Sequence, residues 1–263
     1  NAGHFGTMAA TMMGAFDSDK IGNFDPAAMG GFGKDHMAGF DVGAMSGFKA
    51  DMLGNFSKDA IGGIDMDRMK AFDPTAMGGF NAGHFGTMDS TMMGAFDSER
   101  IGHFDPMAMM GFGKANMAAF DPAAMSGFDM EQVGNFAPTA IGGLSMDQMA
   151  AFDPMAMGGF KANHMKNFDP TMMTAFDAER VQHFDPMAMM GFGMEHMQNF
   201  DPSAMGGFEA DHVNHMDPTA IGGLSMDHMM AFASEAMNGF KAKHMAAFDP
   251  TMMTGFDTAD VQN

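Results

Sequence analysis

The sequence predicts an all-α repeat: a superhelical solenoid of short one-turn α or 3₁₀ helices, one per eight-residue unit. Three observations predict it. The 263 residues fall into thirty-three rows of eight counted from Asn1, and the fifth and eighth positions of these rows are apolar throughout. All eleven prolines stand at the second position, ten of them directly after Asp. The alphabet is narrow, with 40 Met, 35 Gly and 28 Phe but no Trp, Tyr or Cys, as when one short motif is copied many times.

With the positions labelled a to h, a typical row is DPTAMGGF at 73–80. Column a reads as a helix N-cap. Asp fills it eighteen times, as at Asp25, Asp73, Asp121 and Asp217, and Ser or Asn five times more. Such side chains accept from the free N–H groups of a first helical turn. Proline in column b sits where its missing N–H costs nothing and its fixed φ suits a helix start. Glycines in columns f and g, such as Gly78 and Gly79, predict a helix exit through a left-handed residue. Each unit therefore spells start, one turn, stop, with a helix of roughly five residues.

Columns e and h carry the core. Column e is mostly Met, and twenty-six of the thirty-two h positions are Phe. Their gaps of three and five fit neither an unbroken helical period nor a strand period of two. Val and Ile are scarce and Pro recurs too often for a central strand, so a β-solenoid is the alternative and short helical turns the expectation. A helix of five residues is unstable alone, so each unit must be held by packing on its neighbours. Met in column e suits a core whose local geometry drifts along a superhelix.

A longer period lies above the first. NAGHFGTM at 1–8 returns unchanged at 81–88, and the rows at 17, 97 and 177 read DSDKIGNF, DSERIGHF and DAERVQHF. Ile64, Leu144 and Leu224 replace the column-h Phe at one phase. The chain is thus one continuous array over 1–263, with super-repeats 1–80, 81–160 and 161–240 and a partial one at 241–263. Eighty residues mark either duplication of a block or a whole number of superhelical turns. Neither end shows a distinct capping row, which points to a piece of a longer array or to a filament whose ends meet another copy. The start at Asn1, without a basic and apolar leader, fits a mature product or an excised piece.

The formal net charge is −20, from 33 acidic and 13 basic side chains. That charge disfavours nucleic acid and anionic lipid as partners and keeps repetitive chains apart in solution. Without Cys there are no disulfides, thiol nucleophiles or cysteine-held metals. No run of eighteen apolar residues predicts a membrane span.

No residue is assigned a catalytic, cofactor-binding or metal-binding role, and no small-molecule substrate is expected. The sequence GKD at 33–35 lacks the hydroxyl residue that a phosphate loop needs after Lys34, because Asp35 stands there. Asp17-x-Asp19 and Asp65-x-Asp67 open like calcium loops, but Ile21 and Met69 occupy the next ligand position. Calcium held by column-a carboxylates converging from stacked rows remains the alternative, with copper on Met and His behind it. His4, His84, His164 and His244 share column d at the eighty-residue phase, which marks a surface or inter-row contact. His212 and His215, three apart, fall on one face of a turn.

The string FDPTAMGG from Phe72 resembles the octapeptide arrays of the form LTPEQIAA in large bacterial surface and secreted proteins. The match runs apolar, capper, Pro, two variable positions, apolar and two small residues, with Phe for Leu, Asp for Thr and Met for Ile. It spans the whole chain. The resemblance implies an elongated spacer or adhesin stalk. The expectation is therefore a non-enzymatic, self-associating structural protein of an extracellular filament or adhesin.

Overall fold

In the computed structural model, residues 2–248 are described; the rows at 249–263, with the end of the partial fourth super-repeat, lie outside the described residues. Each described eight-residue row forms one helix of four to six residues, and no strand occurs among the described residues. The all-α solenoid is the fold. Two compact units share it: Asn1–Phe128 with Asn135–Gly143, and Asp129–Gly134 with Leu144–Asn263. The division falls inside the repeat, and the same coil builds each unit.

The rows are of two kinds, and they alternate. Odd rows are α-helical, for example Lys34–Gly39, Met66–Ala71 and Ala82–Phe85. Even rows are almost all 3₁₀, for example Pro74–Gly79, Ser90–Ala95 and Pro106–Gly111. The structural repeat is therefore sixteen residues, two octapeptides. The sequence carries the mark, since all eleven prolines lie in even rows. Proline does not itself dictate the 3₁₀ form, because Val42–Gly47 and Ser90–Ala95 adopt it without proline.

Capping follows the same alternation. In even rows the Asp carboxylate accepts from the N–H two residues on: Asp25 from Ala27, Asp73 from Thr75, Asp121 from Ala123 and Asp217 from Thr219. In odd rows the cap accepts three residues on, as Asp17 from Lys20, Asp97 from Arg100 and Asp177 from Arg180. The N-cap reading of column a holds at these positions. Gly33 has no capping side chain, and there Asp59 of the next coil accepts from the Lys34 N–H at 3.0 Å.

Columns e and h are inward as expected: every e residue from Met13 to Met229 and every h residue from Phe32 to Phe232 is buried. Column d of the even rows joins them, as Ala28, Ala76, Met92 and Ala156. Successive column-h rings meet mostly edge to face, with centroids at 5.5 Å for Phe32–Phe40, 5.4 Å for Phe40–Phe48 and 5.3 Å for Phe48–Phe56. That geometry sets the positive ring edge against the negative ring face.

Within each unit a row packs on the row three before and the row three after it. Three is odd, so most α rows lie between 3₁₀ rows; α rows meet one another around the even rows Lys58–Ile61 and Pro218–Ile221, which are themselves α-helical. Side chains linking adjacent coils join residues 25 to 30 apart, centred near 27, about one third of the eighty-residue period. Three coils thus bring the chain back to the same phase, which favours the geometric reading of that period.

The glycines act otherwise than expected. No glycine among the described residues has positive φ, so none is a left-handed exit. Column-g glycines of the even rows instead lie against the backbone of the neighbouring coil. A Cβ on Gly79 would sit 2.0 Å from the Ala50 carbonyl oxygen, and one on Gly127 2.3 Å from that of Ser98. The exit residue that follows is extended, such as Phe80 at φ −71° and ψ 139°. Helices end here because the backbone turns extended at column h, and the glycine lets two coils touch.

Gly79→Ala should therefore destabilise the protein by about 3 kcal/mol through overpacking against rigid backbone. A methyl group on Gly43 would meet nothing within 4 Å, and Gly43→Ala should stabilise the protein by about 0.5–1 kcal/mol. Chemical denaturation of the two variants checks the contrast; equal effects would refute the close-contact role.

Candidate functional site

The backbone hydrogen bonds of the helices and their connections are local, joining residues three or four apart. Among the described residues they spend no N–H or C=O on neighbouring coils. The column-a N–H of an α row and the column-h C=O of a preceding coil are left to side chains, and His or Asn at column d answers both. His84 shows the arrangement. Its Nδ1 accepts from the Asn81 N–H at 3.3 Å, and its Nε2 contacts the Phe56 carbonyl oxygen at 2.9 Å. An N–H donor at Nδ1 requires that nitrogen to be bare, so the proton sits on Nε2 and is donated to the carbonyl.

The same bridge recurs every sixteen residues with different side chains. His36, His196, His212, His228 and His244 each take an N–H from their own cap residue at Nδ1, at 2.9 to 3.1 Å. Each places Nε2 on a carbonyl 28 residues back, at 2.8 to 3.2 Å, those of Met8, Phe168, Phe184, Phe200 and Met216. Asn116 does both jobs with one amide, accepting from Gly113 N–H at 3.0 Å and donating to the Met88 carbonyl at 3.5 Å. Gln132 and Gln148 accept from Asp129 and Ser145 in the same way.

Arginine meets the carbonyl end alone, since a guanidinium has no acceptor. Arg68 donates Nε to the Phe40 carbonyl at 3.0 Å and Nη2 to that of Ala38 at 2.7 Å, while Nη1 pairs with Asp65. Arg100 and Arg180 reach the Lys70 and Ala150 carbonyls, 30 residues back, and pair with Asp97 and Asp177. Their Nε groups are buried without a partner, so arginine satisfies column d less completely than histidine does.

The sequence-level histidine candidates divide accordingly. His84, His164 and His244 are buried, and for His84 and His244 the inter-row contact is the one found; His4, in the first coil, is exposed. His212 and His215 do not form a pair. His212 is turned inward with both ring nitrogens engaged, whereas His215 places Nδ1 on the Asp211 carbonyl at 2.8 Å. The acidic candidates are likewise occupied. Asp17 caps its helix and pairs with Lys20 at 2.8 Å, and Asp65 caps its own and pairs with Arg68. Among the described residues no group of three or more His, Asp or Glu gathers in a metal-ready cluster. The calcium expectation gains no support from this geometry. No helix among the described residues is long and apolar enough to cross a membrane.

The outer surface carries exposed methionines outside column e, notably Met107, Met110, Met155, Met187 and Met230. A groove of about 610 Å³ crosses the rows beside Asp51, Asn81 and Asp105, floored by Gly54, Gly78 and Gly79. It brings no nucleophile together with a base. A comparison of octapeptides conceals the column-d series. Taken every sixteen residues, column d is polar in the odd rows, apart from Met52, and Ala or Met in the even rows.

No protein-family model matches the chain, and a search of curated proteins finds no match.

Two outcomes test the series. His84→Leu strands an N–H and a C=O and should cost about 2–4 kcal/mol, whereas His84→Gln, which copies its counterparts Gln132 and Gln148, should cost under about 1 kcal/mol. Urea denaturation distinguishes them, and equal losses would remove the bridging role.

The second outcome concerns pH. Burial is the main cause that holds His84 and His244 below the ordinary histidine value of 6.5, opposed by their bonds to the Phe56 and Met216 carbonyls. The unfolded chain then takes up protons first, so this stabilisation is complete above 6.5 and falls as pH drops through it. A separate loss sets in below the ordinary aspartate value of 3.8. Asp73, Asp169, Asp201 and Asp217 are lowered by the neighbouring hydroxyl first and then its N–H, and Asp89 by the Thr91 N–H first. Thermal unfolding across pH 7 to 3 should show both declines, with the first shrinking in a His84→Gln, His244→Gln double variant. An unchanged first decline in that variant would assign it elsewhere.

Proposed function

We propose that the chain is a structural protein, a self-associating building block or stalk of an extracellular filament or adhesin, with no enzymatic role. The observation that carries this reading is that, within each unit, coils are bonded to their neighbours by the same parts in the same direction. Column-d side chains reach back to earlier carbonyls, column-g glycines lie on earlier backbone, and columns e and h continue one core. Such a coil is extended by adding another like it, and stability grows with the number of coils. The net charge of −20 serves this role by keeping the sides of neighbouring assemblies apart. Extracellular placement rests on the resemblance to octapeptide arrays of bacterial surface proteins.

Electron microscopy of the purified chain at physiological salt, without added metal, tests the reading. Uniform fibres that lengthen with protein concentration are expected. A monodisperse monomer at every concentration up to about 1 mM would overturn self-association.

A further inference from the structure

Methionine stands in two surroundings, at times within a single row. In the row at 105–112, DPMAMMGF, Met107 and Met110 are 58 % and 51 % exposed, while Met109 between them is fully buried. The row at 185–192 repeats this with Met187 and Met190 outward and Met189 buried. In the row at 153–160, Met155 is 62 % exposed and Met157 is buried.

The buried thioethers belong to column e and fill the core, as a flexible apolar side chain does. Packing does not account for the outward five. Column c carries Thr75 and Thr171 in equivalent rows, and each hydroxyl donates to the cap, at 2.6 Å to Asp73 and 2.7 Å to Asp169. Met107, Met155 and Met187 give their backbone N–H to Asp105, Asp153 and Asp185 and forgo the hydroxyl bond. Column f, where Met110 and Met190 stand, is filled elsewhere by Gly78, Ser126 and Thr174. Other outer methionines do have a packing role. Met130 and Met194 end beside Gly158 and Gly222 of the next coil, and the Met146 Sδ accepts from the Thr174 hydroxyl at 3.5 Å.

What a thioether offers that Thr or Ser does not is a sulfur lone pair open to two-electron oxidants. Residues three apart eclipse in a 3₁₀ turn, so Met107 with Met110, and Met187 with Met190, stand side by side on the surface. The chain has no Cys, Trp or Tyr, which leaves methionine sulfur as its most readily oxidised side-chain group.

We propose that Met107, Met110, Met155, Met187 and Met190 form a sacrificial thioether layer that consumes peroxides and spares the column-e core. The Sδ lone pair attacks one oxygen of hydrogen peroxide, the O–O bond breaks and an S–O bond forms. The second oxygen leaves with both protons as water, so sulfur loses two electrons and peroxide gains them. The polar sulfoxide suits an outward position, whereas in column e it would put a polar oxygen among Phe rings. This role is independent of the self-association reading.

The test applies limiting hydrogen peroxide to the purified chain, with sulfoxides located by peptide mass spectrometry and helicity followed by circular dichroism. The five sites should convert at least about tenfold faster than Met109, Met157 and Met189, with helicity unchanged until they are consumed. A variant carrying Met107→Thr, Met155→Thr, Met187→Thr, Met110→Ser and Met190→Ser copies residues already found in those columns. It should fold, consume peroxide about half as fast at the start, and accumulate core sulfoxides and lose helicity at a lower dose. Equal rates at outer and core sites would overturn the proposal. Helicity lost as the five convert, or a variant that does not fold, would overturn it by making these methionines structural. A folded variant whose core is oxidised no sooner than that of wild type would also remove the protective role.

Discussion

The fold depends on the approach of bare backbone to bare backbone between successive coils. A column-g methyl group would stand about 2 Å from a carbonyl oxygen of the coil before, so the coils pack with no side chain between them at that line. Once the backbones are that close, the neighbouring columns are fixed. Columns e and h are driven inward to fill the interior, and Phe and Met do so with edge-to-face rings and a flexible thioether. Even rows at one phase of the eighty-residue period carry alanine in column g instead, at Ala15, Ala95 and Ala175. Close approach is thus the rule with a periodic exception.

That closeness raises a problem a β-solenoid does not have. Strands join coils through their own N–H and C=O groups, whereas one-turn helices use those groups internally and leave their ends unpaired. A buried unpaired N–H or C=O is expensive, and the junction at His84 presents one of each, the Asn81 N–H and the Phe56 C=O. Column d meets the need with imidazole or carboxamide, which offer an acceptor and a donor at fixed separation, or with guanidinium, which only donates, to the carbonyls of the preceding coil. This explains why chemically different residues stand at one position. It also ties the solenoid to pH, since an imidazole can fill the position only while Nδ1 is bare.

The polarity of these bridges gives the array a direction. Donors point back along the chain and acceptors point forward, so a coil has two unlike faces.

Much of this was legible in the residues alone. The octapeptide frame, the Asp–Pro helix starts at Asp25, Asp73, Asp121 and Asp217, and the burial of columns e and h follow from local physics: a capped, proline-opened turn with two apolar positions. The role of glycine did not follow, because Gly79 in sequence looks the same whether it turns left-handed or makes room for Ala50. Nor did the alternation of α and 3₁₀ rows, although every proline marked it, since Ser90–Ala95 takes the 3₁₀ form with no proline to impose it. The bridging by His84 and His212 was also hidden, as a histidine that links Asn81 to Phe56 differs from a surface one only in what lies 28 residues away. Sequence by itself determined the turn and its inward faces, which depend on neighbours within eight residues. Only the tertiary structure decided how one coil meets the next, because that contact is made of backbone atoms that every residue shares.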